Sequence, residues 1–159
     1  MFTLVTRVLQ GNFGIVEDSF NDAEFFPLIN SCEKDVTLNI LSVLSELLSA
    51  GTHRRIHYMI SKGGSEALLQ TLVNLARSDS LDYSLLLPLL RLVVKVGQRD
   101  ANFGEKAQKL EATDVTLSLI RRNLTKSDNI TLCIHAIQIY ASNGMYVYIG
   151  PKFVTLNIE

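Results

Sequence analysis

Thr52-His53-Arg54-Arg55-Ile56-His57-Tyr58-Met59-Ile60-Ser61-Lys62-Gly63-Gly64-Ser65 is the stretch that decides the fold. His53 to Ser61 reads as a short helix built on Ile56, Met59 and Ile60, and Gly63-Gly64 permits a sharp turn. Ser65 starts the next helix, whose apolar stripe is Leu68, Leu69, Leu72, Val73 and Ala76. A short helix, a glycine break and a longer helix predict stacked helical repeats, an architecture that offers surface to other proteins.

The same punctuation extends downstream. Ser78 to Ser80 makes a polar break, and Leu85 to Val96 is apolar nearly all round, as befits the innermost helix of a three-helix unit. Pro88 either lies close to the start of that helix or bends it. Arg99 to Leu110 resembles another first helix. Asp114 to Leu124 is a second, with Val115, Leu117, Leu119 and Ile120 available for the interior, and Asp128 to Ser142 a third, carrying Ile130, Ile134, Ile137 and Ile139. Ala112 lies 48 positions after Gly64 and Tyr140 lies 46 after Val94, a period that indicates a helical solenoid.

Upstream, Asp35 to Ser49 carries Ile40, Leu41, Leu44, Leu47 and Leu48 on one face, widened by Val36 and Val43, with Gly51 as its stop. A short helix is expected over Glu24 to Ser31. The expected fold is therefore all-α: an armadillo/HEAT-like right-handed helical solenoid over residues 24–143. An irregular lead-in spans 1–23, and a divergent, irregular or β-prone tail spans 144–159. Within the tail, Met145 to Ile149 is strand-like, Gly150-Pro151 turns, and Phe153 to Ile158 is again β-prone. A hairpin is one outcome; a poorly packed tail that closes the stack imperfectly is favoured, and it carries an expectation of weak self-association.

Composition narrows the function. The chain has 159 residues, 47% of them hydrophobic and 19% charged, enough apolar material for one core and against wholesale disorder. Its formal net charge of -1 gives no general pull towards nucleic acid or anionic lipid. The Leu85–Val96 run is too short to span a bilayer, and the first residues lack a basic segment followed by an apolar run, so neither membrane nor secretory signal is expected. Cys32 and Cys133 are expected as free thiols in a reducing compartment. The sequons at Asn123 and Asn129 are then coincidences.

Thr52–Ser65 with Ala67–Leu72, Lys95–Ala107, and Asp114–Ile120 with Arg121, Arg122, Asn123 and Leu124 together resemble the amino-terminal armadillo-like region of the cytosolic carboxypeptidases, nearest their ATP/GTP-binding-protein-like members. The resemblance covers roughly Asp35 to Asn143. It implies a parent class of cytoplasmic zinc peptidases that trim glutamates from tubulin tails and other proteins, with a His-x-x-Glu motif on a catalytic domain after the helical region. Here the residues three beyond His53, His57 and His135 are Ile56, Ile60 and Gln138. No catalytic, cofactor-binding or metal residue carries over, and zinc is expected only in a longer catalytic form. The loss of likeness after Asn143 leads to the expectation of a product ending before that domain.

Other site chemistry weighs little. His53 and His57 are one turn apart beside Arg54 and Arg55, whose charge disfavours a metal cation, and His135 reads as a packing residue. Gly63-Gly64 follows no strand and lacks a neighbouring phosphate-loop element. Two basic groups remain as candidate partner-binding residues: Arg54, Arg55 and Lys62, and Arg121, Arg122 and Lys126. Ordinary solvation at helix ends explains them, and so does a basic patch for an acidic peptide or the tail of tubulin. The leading reading is a noncatalytic interaction scaffold. The alternatives are an incomplete isoform tied to the parent carboxypeptidase activity and a purely structural helical domain.

Overall fold

The computed structural model describes Ile29, residues 33–49, 53–123 and 125–144, and the backbone of 146–149 and 152–155. Seven helices lie within the described residues: α1 (Lys34–Ser49), α2 (His53–Ser61), α3 (Gly64–Arg77), α4 (Tyr83–Gly97), α5 (Phe103–Lys109), α6 (Ala112–Arg122) and α7 (Ser127–Ser142). The lead-in and most of the Glu24–Ser31 helix fall outside the described residues. Ile29 alone is described there, fully buried, with its carbonyl accepting from Thr37 Oγ1 at 3.2 Å.

The helices form two layers because each carries a wide apolar face that one neighbour cannot cover. α1, α4 and α7 lie side by side in one layer, and α3 and α6 in the other, with the short α2 and α5 leading into the latter. α4 packs on α1, α3 and α7, so Leu85, Leu86, Leu89, Leu90, Leu92 and Val93 are all buried. Its all-round apolarity is thus the mark of the central helix. Pro88 sits in the second turn, where its missing N–H leaves the Ser84 carbonyl without the usual in-helix donor. Asp82 starts the helix by accepting from Ser84 N–H at 3.0 Å.

The repeat is visible in the burial pattern. Ile40, Leu41 and Leu44 of α1 recur 49 positions later as Leu89, Leu90 and Val93 of α4. Leu89 and Val93 recur after a further 47 as Ala136 and Tyr140 of α7. Tyr140 therefore matches Val93, one position from the Val94 that the sequence offset selects. Gly64 and Ala112, 48 apart, are both the buried first residue of a helix, and the residue before each is left-handed: Gly63 at φ 85° and Glu111 at φ 60°.

Several expectations shift. The Arg99–Leu110 helix shortens to Phe103–Lys109, because the Asp100 carboxylate accepts from Asn102 N–H at 3.0 Å and holds a turn there. α3 begins at Gly64 instead of Ser65, whose hydroxyl is turned inward to Asp100. Leu117, read as available for the interior, and Ile134 of the third helix are each 45% exposed. Leu117 lies in the last unit, whereas Leu69, 48 positions before it and with α6 packed beside its helix, is fully buried; Ile134 lies on the outer side of its helix. Tyr146–Ile149 (β1) and Lys152–Thr155 (β2) pair antiparallel, with Tyr146 opposite Thr155 and Tyr148 opposite Phe153, the hairpin outcome for the β-prone tail. Among the described residues no helix is long and apolar enough to cross a membrane.

Candidate functional site

The two basic groups occupy opposite ends of α3. Arg54 and Lys62 are exposed on and after α2, and Arg55 turns back so that Nη1 donates to the Leu47 carbonyl at 3.3 Å. This places a cation at the C-terminal end of α1, where its carbonyls lack in-helix donors. Lys62 lies 5.5 Å from the Tyr58 ring centroid. In the second group, Arg122 Nη1 donates to the Ala76 carbonyl at 2.7 Å and so caps the C-terminal end of α3. Lys126 Nζ stands 3.5 Å over the Tyr83 ring, a cation–π contact. Arg121 is exposed. Lys62 precedes the first turn of α3 and Arg122 caps its last, so a 14-residue helix, roughly 20 Å long, separates the groups. Stacking leaves them as two patches on opposite edges of the layer, with Arg54 and Arg121 the cations most open to a partner.

The ionic site that sequence inspection missed lies inside. Asp100, 4% exposed, accepts from Ser65 Oγ at 2.7 Å and from Lys106 Nζ at 2.7 Å, besides Asn102 N–H. Lys106 also reaches Glu66 Oε1 at 3.3 Å, tying α3, the α4–α5 turn and α5 together. Burial alone would push the Asp100 carboxyl up, but the Lys106 and Ser65 hydrogen bonds, the Asn102 N–H and the Lys106 charge hold it below the usual range. Burial likewise opposes the Lys106 ammonium, and Asp100 and Glu66 raise its pKa against that cost. No periodicity marks Asp100: Asn102 and Lys106 are local partners, and Ser65 comes from α3, 35 positions earlier. At the surface, hydrogen bonds from Lys34 and Ser84 hold Asp82 down to about 2.

The remaining chemistry-bearing side chains are structural or dispersed. Cys133 is free and fully buried, and burial pushes its thiol up to about 11, so it is no nucleophile near neutral pH. Cys32 lies outside the described residues. Asn123 and Asn129 are 1% and 5% exposed, and their amide nitrogens donate to the Leu119 carbonyl and to Asn123 Oδ1, which closes both sequons in the folded chain. His53 and His57 are exposed on α2, while His135 Nε2 sits 3.3 Å from Gln98 Nε2. Among the described residues no three His, Cys, Asp or Glu side chains gather as a metal ion would need. An open cleft of about 380 Å³, lined by Tyr83, Leu87 and residues 125–129, lies between the starts of α4 and α7.

Known proteins give this architecture a family. The chain is 60% identical over 116 residues to mouse cytosolic carboxypeptidase 4, covering 73% of the chain and 10% of that protein. It is 58% identical over 116 residues to the human form of the same protein, with the same coverage, and 36% identical over 118 residues to human cytosolic carboxypeptidase 1, covering 74% and 10%. The chain thus spans about a tenth of the length of these relatives. Among solved structures, an engineered protein shares the fold with a TM-score of 0.57 at 18% identity, over 76% of this chain and 45% of that one. Residues 24–149 match the family described as CCP1-like, N-terminal TPR repeats. The chain belongs to that family, a helical N-terminal repeat region homologous to that of the cytosolic carboxypeptidases.

Proposed function

We propose that the chain is a noncatalytic protein-interaction scaffold of a cytosolic-carboxypeptidase-like protein, working in the cytoplasm. The observation that carries this reading is the match of residues 24–149 to the family's N-terminal repeats, folded as a two-layer helical stack. The partner is a protein segment rich in carboxylates, the acidic tail of tubulin being the leading instance. It is captured electrostatically by Arg54, Arg55 and Lys62 or by Arg121, Arg122 and Lys126, without chemistry on the partner. Exposed pairs of this kind contribute about 0.2–1 kcal/mol each, so several must act together, and binding must weaken as salt rises. Glutamate removal and zinc belong to the longer relatives in this reading.

The test is fluorescence anisotropy of a labelled glutamate-rich peptide against its glutamine counterpart. Arg54→Glu and Arg121→Glu are the clean variants, because Arg55 and Arg122 also cap helices. Preferential, salt-sensitive binding of the glutamate peptide, weakened by one of these reversals, supports the scaffold. Equal affinity for both peptides sinks the acidic-partner reading.

A further inference from the structure

The α1–α4–α7 layer presents one outward face in register. The steps of 49 and 47 positions that align its buried residues also align outward ones: Leu38, Leu87 and Ile134 in one row, Ser42, Arg91 and Gln138 in the row a turn further on. The helices run parallel. Lys34 Nζ meets Asp82 at 2.8 Å near the starts of α1 and α4, and Asn143 Nδ2 reaches the Gly97 carbonyl at 2.7 Å at the ends of α7 and α4. Ile134 is 45% exposed and Leu38 and Leu87 are half-buried, Leu38 with part of its side chain against the core, so the first row is a shallow apolar stripe crossing all three helices. Arg91 is exposed at the middle of the second row and has no ion pair among the described residues. The 380 Å³ cleft borders Leu87 on the side of the helix starts, where Tyr83 and residues 125–129 complete its lining.

We propose that this face binds an extended polypeptide segment of a partner, with an apolar side chain at every third position on the Leu38–Leu87–Ile134 row and a carboxylate paired with Arg91. Packed helices lie about 8–10 Å apart. Three residues of a polyproline-II-like chain advance about 9 Å, so its side chains at every third position keep step with the row. A β-strand repeats its facing side chains at roughly 7 Å and drifts out of step. The guanidinium fork of Arg91 suits a carboxylate, which fixes the chemistry of the residue beside the central anchor. The proposal rests on the scaffold reading and adds this layer as a contact surface distinct from the two basic groups.

The test measures binding of the full chain to labelled synthetic peptides: leucine at every third position with glutamate beside the central leucine, the same with glutamine, and one with leucines at every second position. The first peptide should bind best. Arg91→Glu should weaken it about tenfold at low salt, with the gap narrowing as salt rises. Ile134→Asp should weaken it by about tenfold or more through loss of an apolar anchor. Both positions face solvent, and unchanged helical circular dichroism certifies the fold. Arg99→Glu, an exposed cation in the turn between α4 and α5, should change affinity by less than about twofold, since an exposed charge away from the row contributes little. Equal affinity for both leucine spacings, or full binding by Arg91→Glu and Ile134→Asp, overturns this face. Loss with Arg54→Glu or Arg121→Glu alone overturns it while leaving the scaffold reading in place, and failure of every acidic peptide overturns both. An Ile134→Asp effect on self-association instead of on peptide binding makes a second copy the occupant and likewise overturns it.

Discussion

Asp100 is the residue on which the packing of the two units turns. Its carboxylate is buried with three donors, so an uncharged replacement leaves Lys106 only the longer contact to half-exposed Glu66. Asp100→Asn is expected to cost about 2–4 kcal/mol near neutral pH, the range for breaking a buried, hydrogen-bonded charge pair. Its pH dependence has a definite sign. The folded pKa of Asp100 lies below its ordinary value, so the contribution is complete above the unfolded pKa and fades as pH falls through the folded one. Lys106 is raised, so its share is present below its unfolded pKa and fades as pH rises through the folded value. Urea unfolding should show the variant's deficit full at about pH 6–8 and much smaller at about pH 2.5, where unfolded Asp is protonated. A deficit independent of acid would mean that Asp100 acts through shape and not charge.

The turns into α3 and α6 solve one geometric problem with different residues. Gly63 and Glu111 both take a left-handed φ, and glycine adopts it without the steric cost that a side chain adds. Glu111 compensates by pairing with Arg77 at the end of α3. Gly64 follows with no room to spare: an added Cβ would strike the Met59 side chain and lie 2.8 Å from the Met59 carbonyl oxygen. Gly64→Ala should therefore destabilise by roughly 1–3 kcal/mol, as overpacking does. Glu111→Gly should lie within about 1 kcal/mol of neutral, because relief at φ 60° offsets a lost exposed ion pair. Thermal unfolding of the two variants decides this. A neutral Gly64→Ala would show that α2 and α3 part easily at the turn.

For the molecule as a whole, the dispersed histidines carry a clear expectation. His53 and His57 sit on α2 and His135 beside Gln98, without a gathered ligand set among the described residues. Zinc should neither raise the melting temperature nor produce glutamate release from a glutamylated peptide, since both need converging ligands and an activated water. Zinc-dependent release that survives repurification and vanishes on chelation would defeat that expectation. The hairpin offers a second test. Removing the chain from Tyr146 onward is expected to leave the helical circular dichroism of residues 34–142 largely intact while altering self-association or thermal stability. Loss of most helical signal would make the hairpin integral to the stack.

Periodicity made the helices legible. The spacing of Ile40, Leu41, Leu44, Leu47 and Leu48 placed α1 to within a residue, and α2 was read end to end, because an amphipathic stripe is a local property that burial then obeys. Gly63-Gly64 announced its turn for the same reason: backbone freedom is written in the residue itself. The equivalent turn at Glu111 was illegible, since only neighbouring contacts hold a non-glycine residue there. Leu117 looks as apolar as Leu69, yet its exposure depends on whether another helix lies alongside. The basic residues were easy to find and impossible to arrange, because whether Lys62 and Arg122 share an edge depends on how α3 runs between them. The sequence alone settled which segments are helical and which of their faces seek a core. Tertiary structure decided which faces found one, where Asp100 met Ser65, and how Leu38, Leu87 and Ile134 came into line, since residues 35 or more positions apart come together only once the helices stack.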